Sequence, residues 1–174
     1  MQHQIFADEV PNDFDDIKKL AEKGDINAQF NLGLMYANGQ RVPQDYKQAV
    51  YWLTKAAEQG LAGAQSYLVL MYAEGQGVPQ DYKQAVYWLT KAAEQGDASA
   101  QFNLGWMYGE GQGVPQNNKL AYVWFSLAAV GGNADARQNR DYFAQILTPQ
   151  LLAEAQELAA KLQYRITTHD EDLK

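Results

Sequence analysis

Apolar residues fall along this chain in pairs of helical stripes. Between residues 25 and 38, Ala28, Leu32, Met35 and Tyr36 follow the i, i+4, i+7, i+8 spacing that gathers side chains on one helix face. After Asp45, Ala49, Trp52, Leu53, Ala56 and Ala57 form a second stripe. Gly39 is placed to end the first helix in a left-handed conformation, and Pro43 holds the residue before it extended, so the connection is a fixed turn. Asp45, with Gln48 three residues on, resembles a capping box at the start of the second helix, and Gly60 closes it.

The pair then recurs. VPQDYKQAVYWLTKAAEQG occupies residues 42–60 and again 78–96, and Gly24, Gly60, Gly96 and Gly132 keep the same spacing of 36. So do Gly39, Gly75 and Gly111; Pro43, Pro79 and Pro115; and Trp52, Trp88 and Trp124. A fixed period of this size predicts a solenoid, because one helix pair cannot bury its apolar face alone and must stack on the next. Ala28, Ala64 and Ala100, with Gly33 and Gly105, sit where helices must cross closely. The recurring Trp residues, and Tyr36, Tyr72 and Tyr108, are expected in the core.

The pattern A-Q-F-N-L-G-x-M-Y, G-x-x-V-P-Q, A-x-x-W and A-A-x-x-G, carried by Ala28 to Tyr36, Gly39 to Gln44, Ala49 to Trp52 and Ala56 to Gly60, resembles the Sel-one-like repeat family. These repeats are 36-residue relatives of the tetratricopeptide repeat, and the resemblance spans about residues 14–147. It implies an all-α, right-handed α/α solenoid whose first helices line a concave surface. It also implies a non-enzymatic scaffold for other proteins, of bacterial origin and often exported.

The ends depart from the period. Residues 14–23 read as the second half of a unit; full units follow at 25–60, 61–96 and 97–132, and a terminating unit starts at 133. There Arg140 replaces the leucine of Leu32, Leu68 and Leu104. Thr148 and Pro149 make an N-cap and first-turn pair for a capping helix over Gln150 to about Gln163, within a segment spanning 148–166. Its expected stripe is Leu151, Leu152, Ala155, Leu158, Ala159 and Leu162. Residues 1–13 and 167–174 are expected to be disordered.

Composition narrows the function classes. Net charge is -7, with no basic cluster, which argues against nucleic acid and anionic membrane as partners. No apolar run approaches the roughly 20 residues needed to cross a bilayer. The N-terminus has no export leader, although Ile5 to Glu9 could be the remainder of a cleaved one. The expected location is periplasmic or secreted, with cytoplasmic as the alternative, and a monomer is expected.

Catalytic groupings are sparse. Cysteine is absent, and the two histidines, His3 and His169, lie at the ends, so no metal site and no cofactor is expected. None of Ser66, Ser99 and Ser126 begins a Ser-x-x-Lys pair, so the β-lactam association of cysteine-rich relatives does not carry over. Gly75-Gln76-Gly77 serves a turn rather than a phosphate loop. Glu74 and Glu110, one repeat apart, leave an alternative: a cell-wall or glycan hydrolase using groove carboxylates.

First-helix positions facing away from the stripe form the candidate groove: Asn31, Leu34, Tyr67, Leu70, Glu74, Asn103, Trp106, Glu110, Asn139 and Tyr142. These positions vary while the framework repeats. Asn31, Asn103 and Asn139 each offer a donor and an acceptor to a peptide backbone, and Tyr67, Leu70 and Trp106 would grip side chains. The competing role for Asn31 and Asn103 is a hydrogen bond to a neighbouring helix.

Overall fold

The computed structural model describes residues 13–171, except for the side chains of 169–171. Among these it contains α-helices and no strands. The helices are α1 (Phe14–Glu22), α2 (Ile26–Asn38), α3 (Tyr46–Glu58), α4 (Ala62–Glu74), α5 (Tyr82–Glu94), α6 (Ala98–Glu110), α7 (Asn118–Val130), α8 (Ala134–Ile146) and α9 (Pro149–Glu171). From α1 to α8 each helix packs on its neighbours in the chain, giving an all-α solenoid. The segment 1–12 and residues 172–174 lie outside the described residues, as does His3.

Local chemistry explains the repeated punctuation. Gly39, Gly75 and Gly111 end α2, α4 and α6 at φ 64°, 73° and 71°. The glutamine of Val-Pro-Gln then reaches back to cap them: Nε2 of Gln44, Gln80 and Gln116 donates to the carbonyls of Ala37, Ala73 and Gly109 at 2.7, 2.7 and 2.8 Å. Asp45 accepts from the backbone N–H groups of Lys47 and Gln48, and Asp81 does the same at the next unit. The capping box is only half present, however. The backbone N–H of Asp45 donates to the Tyr36 carbonyl at 2.9 Å, leaving nothing for Gln48 to satisfy there. Asn117 caps α7 through the N–H of Leu120.

The core runs the length of the stack. Trp52, Trp88 and Trp124 are each 6% exposed, and Leu32, Leu53, Leu68 and Leu104 are fully buried. Tyr36, Tyr72 and Tyr108 are half-buried. Gly33 and Gly105 are required by close approach: a Cβ at Gly105 would lie 2.9 Å from the Phe125 ring, and one at Gly33 would lie 2.7 Å from Leu53 Cγ.

A polar ladder threads this core. Gln29, Gln65 and Gln101 are buried, and their Nε2 groups donate to the carbonyls of Ala21, Ala57 and Ala93 at the end of the preceding second helix. Gln59 and Gln95 in turn donate to the Oε1 atoms of Gln29 and Gln65 at 2.7 and 3.1 Å. At the third rung the donor is missing. Gly131 stands where Gln59 and Gln95 stand, a Cβ there would lie 2.8 Å from Ala98 Cβ, and Gln101 Oε1 is buried without a partner. A buried acceptor left unpaired costs about 1–3 kcal/mol. Replacement of Gln65 by Met is therefore expected to cost about 1–2 kcal/mol in urea unfolding, and Gln101→Met measurably less. Equal losses would show that the hydrogen bond from Gln95 to Gln65 contributes nothing.

The C-terminal end differs from expectation in two ways. The capping helix runs to Glu171, well past Gln163, so 167–171 is helical rather than part of a loose tail. No glycine or proline interrupts it. Ile166 packs beside Gly96, and Thr167 and Thr168 return their hydroxyl hydrogens to carbonyls one turn back, including those of Gln163 and Tyr164. Leu151 is off the buried stripe at 39% exposed, whereas Ala155 is fully buried and Leu152, Leu158, Ala159 and Leu162 pack against the core. The helix lies against α7, bridged by Lys119 and Glu154 at 3.3 Å.

Candidate functional site

The first helix of each unit keeps one face for the core, and the opposite face is left to solvent. Of the predicted row, the exposed positions on α2, α4 and α6 are Asn31; Tyr67, Leu70 and Glu74; and Asn103, Trp106 and Glu110. On α8 Tyr142 is 57% exposed, while Asn139 is half-buried. Leu34 is also half-buried, held against the cluster around Leu53 and Leu68. The row is thus continuous over successive units, with Leu34 partly withdrawn into the framework.

The aromatic side chains on this row are braced from beneath. Phe30 meets Tyr67 edge-on at 6.0 Å, and Trp106 meets Phe125 edge-on at 5.9 Å. Phe125 stacks on Phe143 at 5.7 Å, and Phe143 meets Tyr142 edge-on at 5.1 Å. Such edge contacts fix ring orientation and leave a face or edge open to solvent.

The asparagines divide by their bonds. Asn139 Nδ2 donates to the Asp135 carbonyl of its own helix, which uses one of its donors. For Asn31 and Asn103, no side-chain hydrogen bond to a neighbouring helix exists among the described residues. Their amides face water with donor and acceptor both available.

Between α2 and α4 the row closes into a pocket of about 150 Å³. Of its lining, Ala37 and Met71 are buried and Tyr46 is half-buried, with Asn38, Tyr67, Leu70, Glu74 and Gln76 completing it. Glu74 and Glu110 form no ion pair among the described residues. One carboxylate elsewhere is perturbed: Glu157 on α9 is held below its ordinary value by a hydrogen bond from Lys161 and by that lysine's charge. No cluster of potential metal ligands exists among the described residues, and none of their helices is long and apolar enough to cross a membrane.

Sequence reasoning missed the glutamine ladder, although Gln29, Gln65 and Gln101 recur at the repeat spacing inside an otherwise apolar segment. A polar residue kept at a core position of every unit is the signal that could have revealed it.

A stack of helix pairs with capped ends and a variable solvent-facing row is an α/α solenoid of the repeat-scaffold class. The Sel1 repeat family model matches residues 26–61, 62–97 and 98–133, more than half of the chain. The chain belongs to the Sel1 repeat family, whose members are in general non-enzymatic scaffolds for protein interaction.

Solved structures agree. A Sel1 repeat protein from Oxalobacter formigenes is 40% identical with a TM-score of 0.64, covering 72% of this chain and 95% of its own. A protective antigen of uropathogenic Escherichia coli strains, with an SLR fold, is 35% identical with a TM-score of 0.71 over 88% of this chain. The match spans 33% of that longer protein. Cysteine rich protein B of Helicobacter pylori is 28% identical with a TM-score of 0.52, covering 71% of this chain and 93% of its own. No curated protein sequence matches the chain significantly.

Proposed function

We propose that this protein is a non-enzymatic scaffold that holds an extended peptide, or an extended segment of a protein partner, along the exposed row of α2, α4, α6 and α8. The observation that supports it most is the pairing of Asn31 and Asn103, exposed and unbonded among the described residues, with braced aromatics at Tyr67, Trp106 and Tyr142. Asparagine amides suit a peptide backbone. Fixed aromatic rings bury large area with little rotamer entropy lost, the property of interface hot spots.

The test is capture of partners from a bacterial lysate, compared between the parent protein and an Asn31→Ala, Asn103→Ala, Tyr142→Ala variant whose helicity matches the parent. A partner enriched on the parent is expected to fall about tenfold or more on the variant, since loss of hot-spot contacts typically exceeds 1–2 kcal/mol. Equal capture by both would place the binding surface elsewhere on the solenoid.

A further inference from the structure

We infer that the bound segment is basic, and that the pocket between α2 and α4 receives a lysine or arginine side chain whose charged head meets Glu74. This rests on the groove proposed above and adds the chemistry of its occupant. Three observations carry it.

The first is how charge is distributed between the two kinds of helix. The helices α2, α4 and α6 contain no lysine or arginine, and their only ionisable acidic groups are Glu74 and Glu110, both exposed on the row. Lysines are confined in these units to the second helices, as Lys47, Lys55, Lys83, Lys91 and Lys119. Two of these three helices therefore present a carboxylate on the row, and none of the three carries a cation to neutralise it.

The second is the state of the aromatic rings. On the second helices the exposed Tyr51 and Tyr87 already carry a cation, with Lys55 Nζ 5.0 Å and Lys91 Nζ 5.6 Å from their ring centroids. No lysine or arginine covers Tyr67 or Trp106 among the described residues. Aromatic faces of this kind attract an ammonium or guanidinium group, and here the cation must come from the ligand.

The third is the shape of the pocket. Its lining combines the apolar surface of Tyr67, Leu70 and Met71 with the exposed Glu74. That combination suits a long basic side chain, whose methylene stem lies on apolar surface while its head reaches a polar group. Glu110 with Trp106 repeats the pairing one unit on. Stacked helices are about 10 Å apart, and a polyproline II peptide turns once in three residues, a rise of about 9 Å. Basic residues three apart would thus meet successive units.

Selection of random dodecapeptides displayed on phage against the whole chain tests this. The selected peptides are expected to carry Lys or Arg at three-residue spacing. Their affinity is expected to fall about fivefold on Glu74→Gln, the loss of one exposed charge pair, and to be unchanged on Glu58→Gln, which removes the same charge from α3. Peptides without a basic preference, or insensitive to Glu74→Gln, yet lost on Asn31→Ala, Asn103→Ala, would overturn this inference and leave the groove standing. Peptides insensitive to both sets of variants would overturn both. If no peptide is selected, the basic-peptide inference fails.

Discussion

Gly77→Ala is expected to destabilise the solenoid by about 3 kcal/mol, whereas Gly60→Ala costs about 1 kcal/mol. Both glycines have positive φ, at 72° and 95°, so both substitutions incur backbone strain. Only Gly77 also touches another unit. A Cβ there would run into the carbonyl carbon and oxygen of Tyr46, which are backbone atoms and have no rotamer to retreat to. Gly113 repeats the arrangement, its Cβ position lying 2.6 Å from the Tyr82 carbonyl oxygen. The inter-helix loop of one unit thus rests directly on the first turn of the preceding second helix, and the alanine methyl must push two units apart. Urea midpoints of the two variants check this. Equal losses would mean that the loop moves freely and does not set the stacking distance.

Phe125→Ala is expected to cost about 3–5 kcal/mol, the range for deleting a buried phenylalanine. Phe125 has no exposed surface and occupies the space opened by Gly105. It meets Phe102 edge-on at 5.5 Å and Trp106 at 5.9 Å, and it stacks on Phe143 of the terminating unit. Its ring neighbours Phe102, Trp106 and Phe143 stand on the helices α6 and α8, whose backbone hydrogen bonds resist collapse into the hole. Because Trp106 leans on this ring, near-ultraviolet circular dichroism of the variant should also lose intensity under conditions where the far-ultraviolet signal is kept. A loss below about 1.5 kcal/mol would show that the aromatic cluster is loosely packed.

The framework was legible in the sequence because its determinants are local and repeated. Gly39, Pro43, Asp45 and Trp52 each act through one turn of helix or one loop, and their copies confirm the period. What was hidden depends on contacts between units. The glutamine ladder pairs residues 30 apart, such as Gln59 with Gln29, and composition says nothing of that partnership. Arg41 sits where Gly77 and Gly113 sit and adopts φ 63°, a left-handed conformation that a long cationic side chain gives no reason to expect. The capping helix continued beyond Gln163 because Leu162 and Ile166 found core to pack against. That gain is tertiary and leaves no trace in helix propensity.

The solvent-facing row was legible as a set of positions, because helical periodicity alone sends residues 31, 67 and 103 away from the stripe. Leu34 was less so: its placement follows the same periodicity, yet neighbouring core draws it partly inward. The bracing of Tyr67 by Phe30 and of Trp106 by Phe125 crosses between helices and needed the fold.

Partners are proposed to bind on the first-helix face. The most direct measurement is site-specific photo-crosslinking in a lysate, with a benzophenone side chain placed at Tyr67, Trp106 or Tyr142, and at Tyr51 or Tyr87 on the second helices. All five residues are between 39% and 57% exposed, so the reporter reaches solvent at each. The account predicts one shared partner crosslinked from 67, 106 and 142 and not from 51 or 87. Crosslinks to that partner from 51 and 87 alone would contradict it and move the binding surface to the second helices.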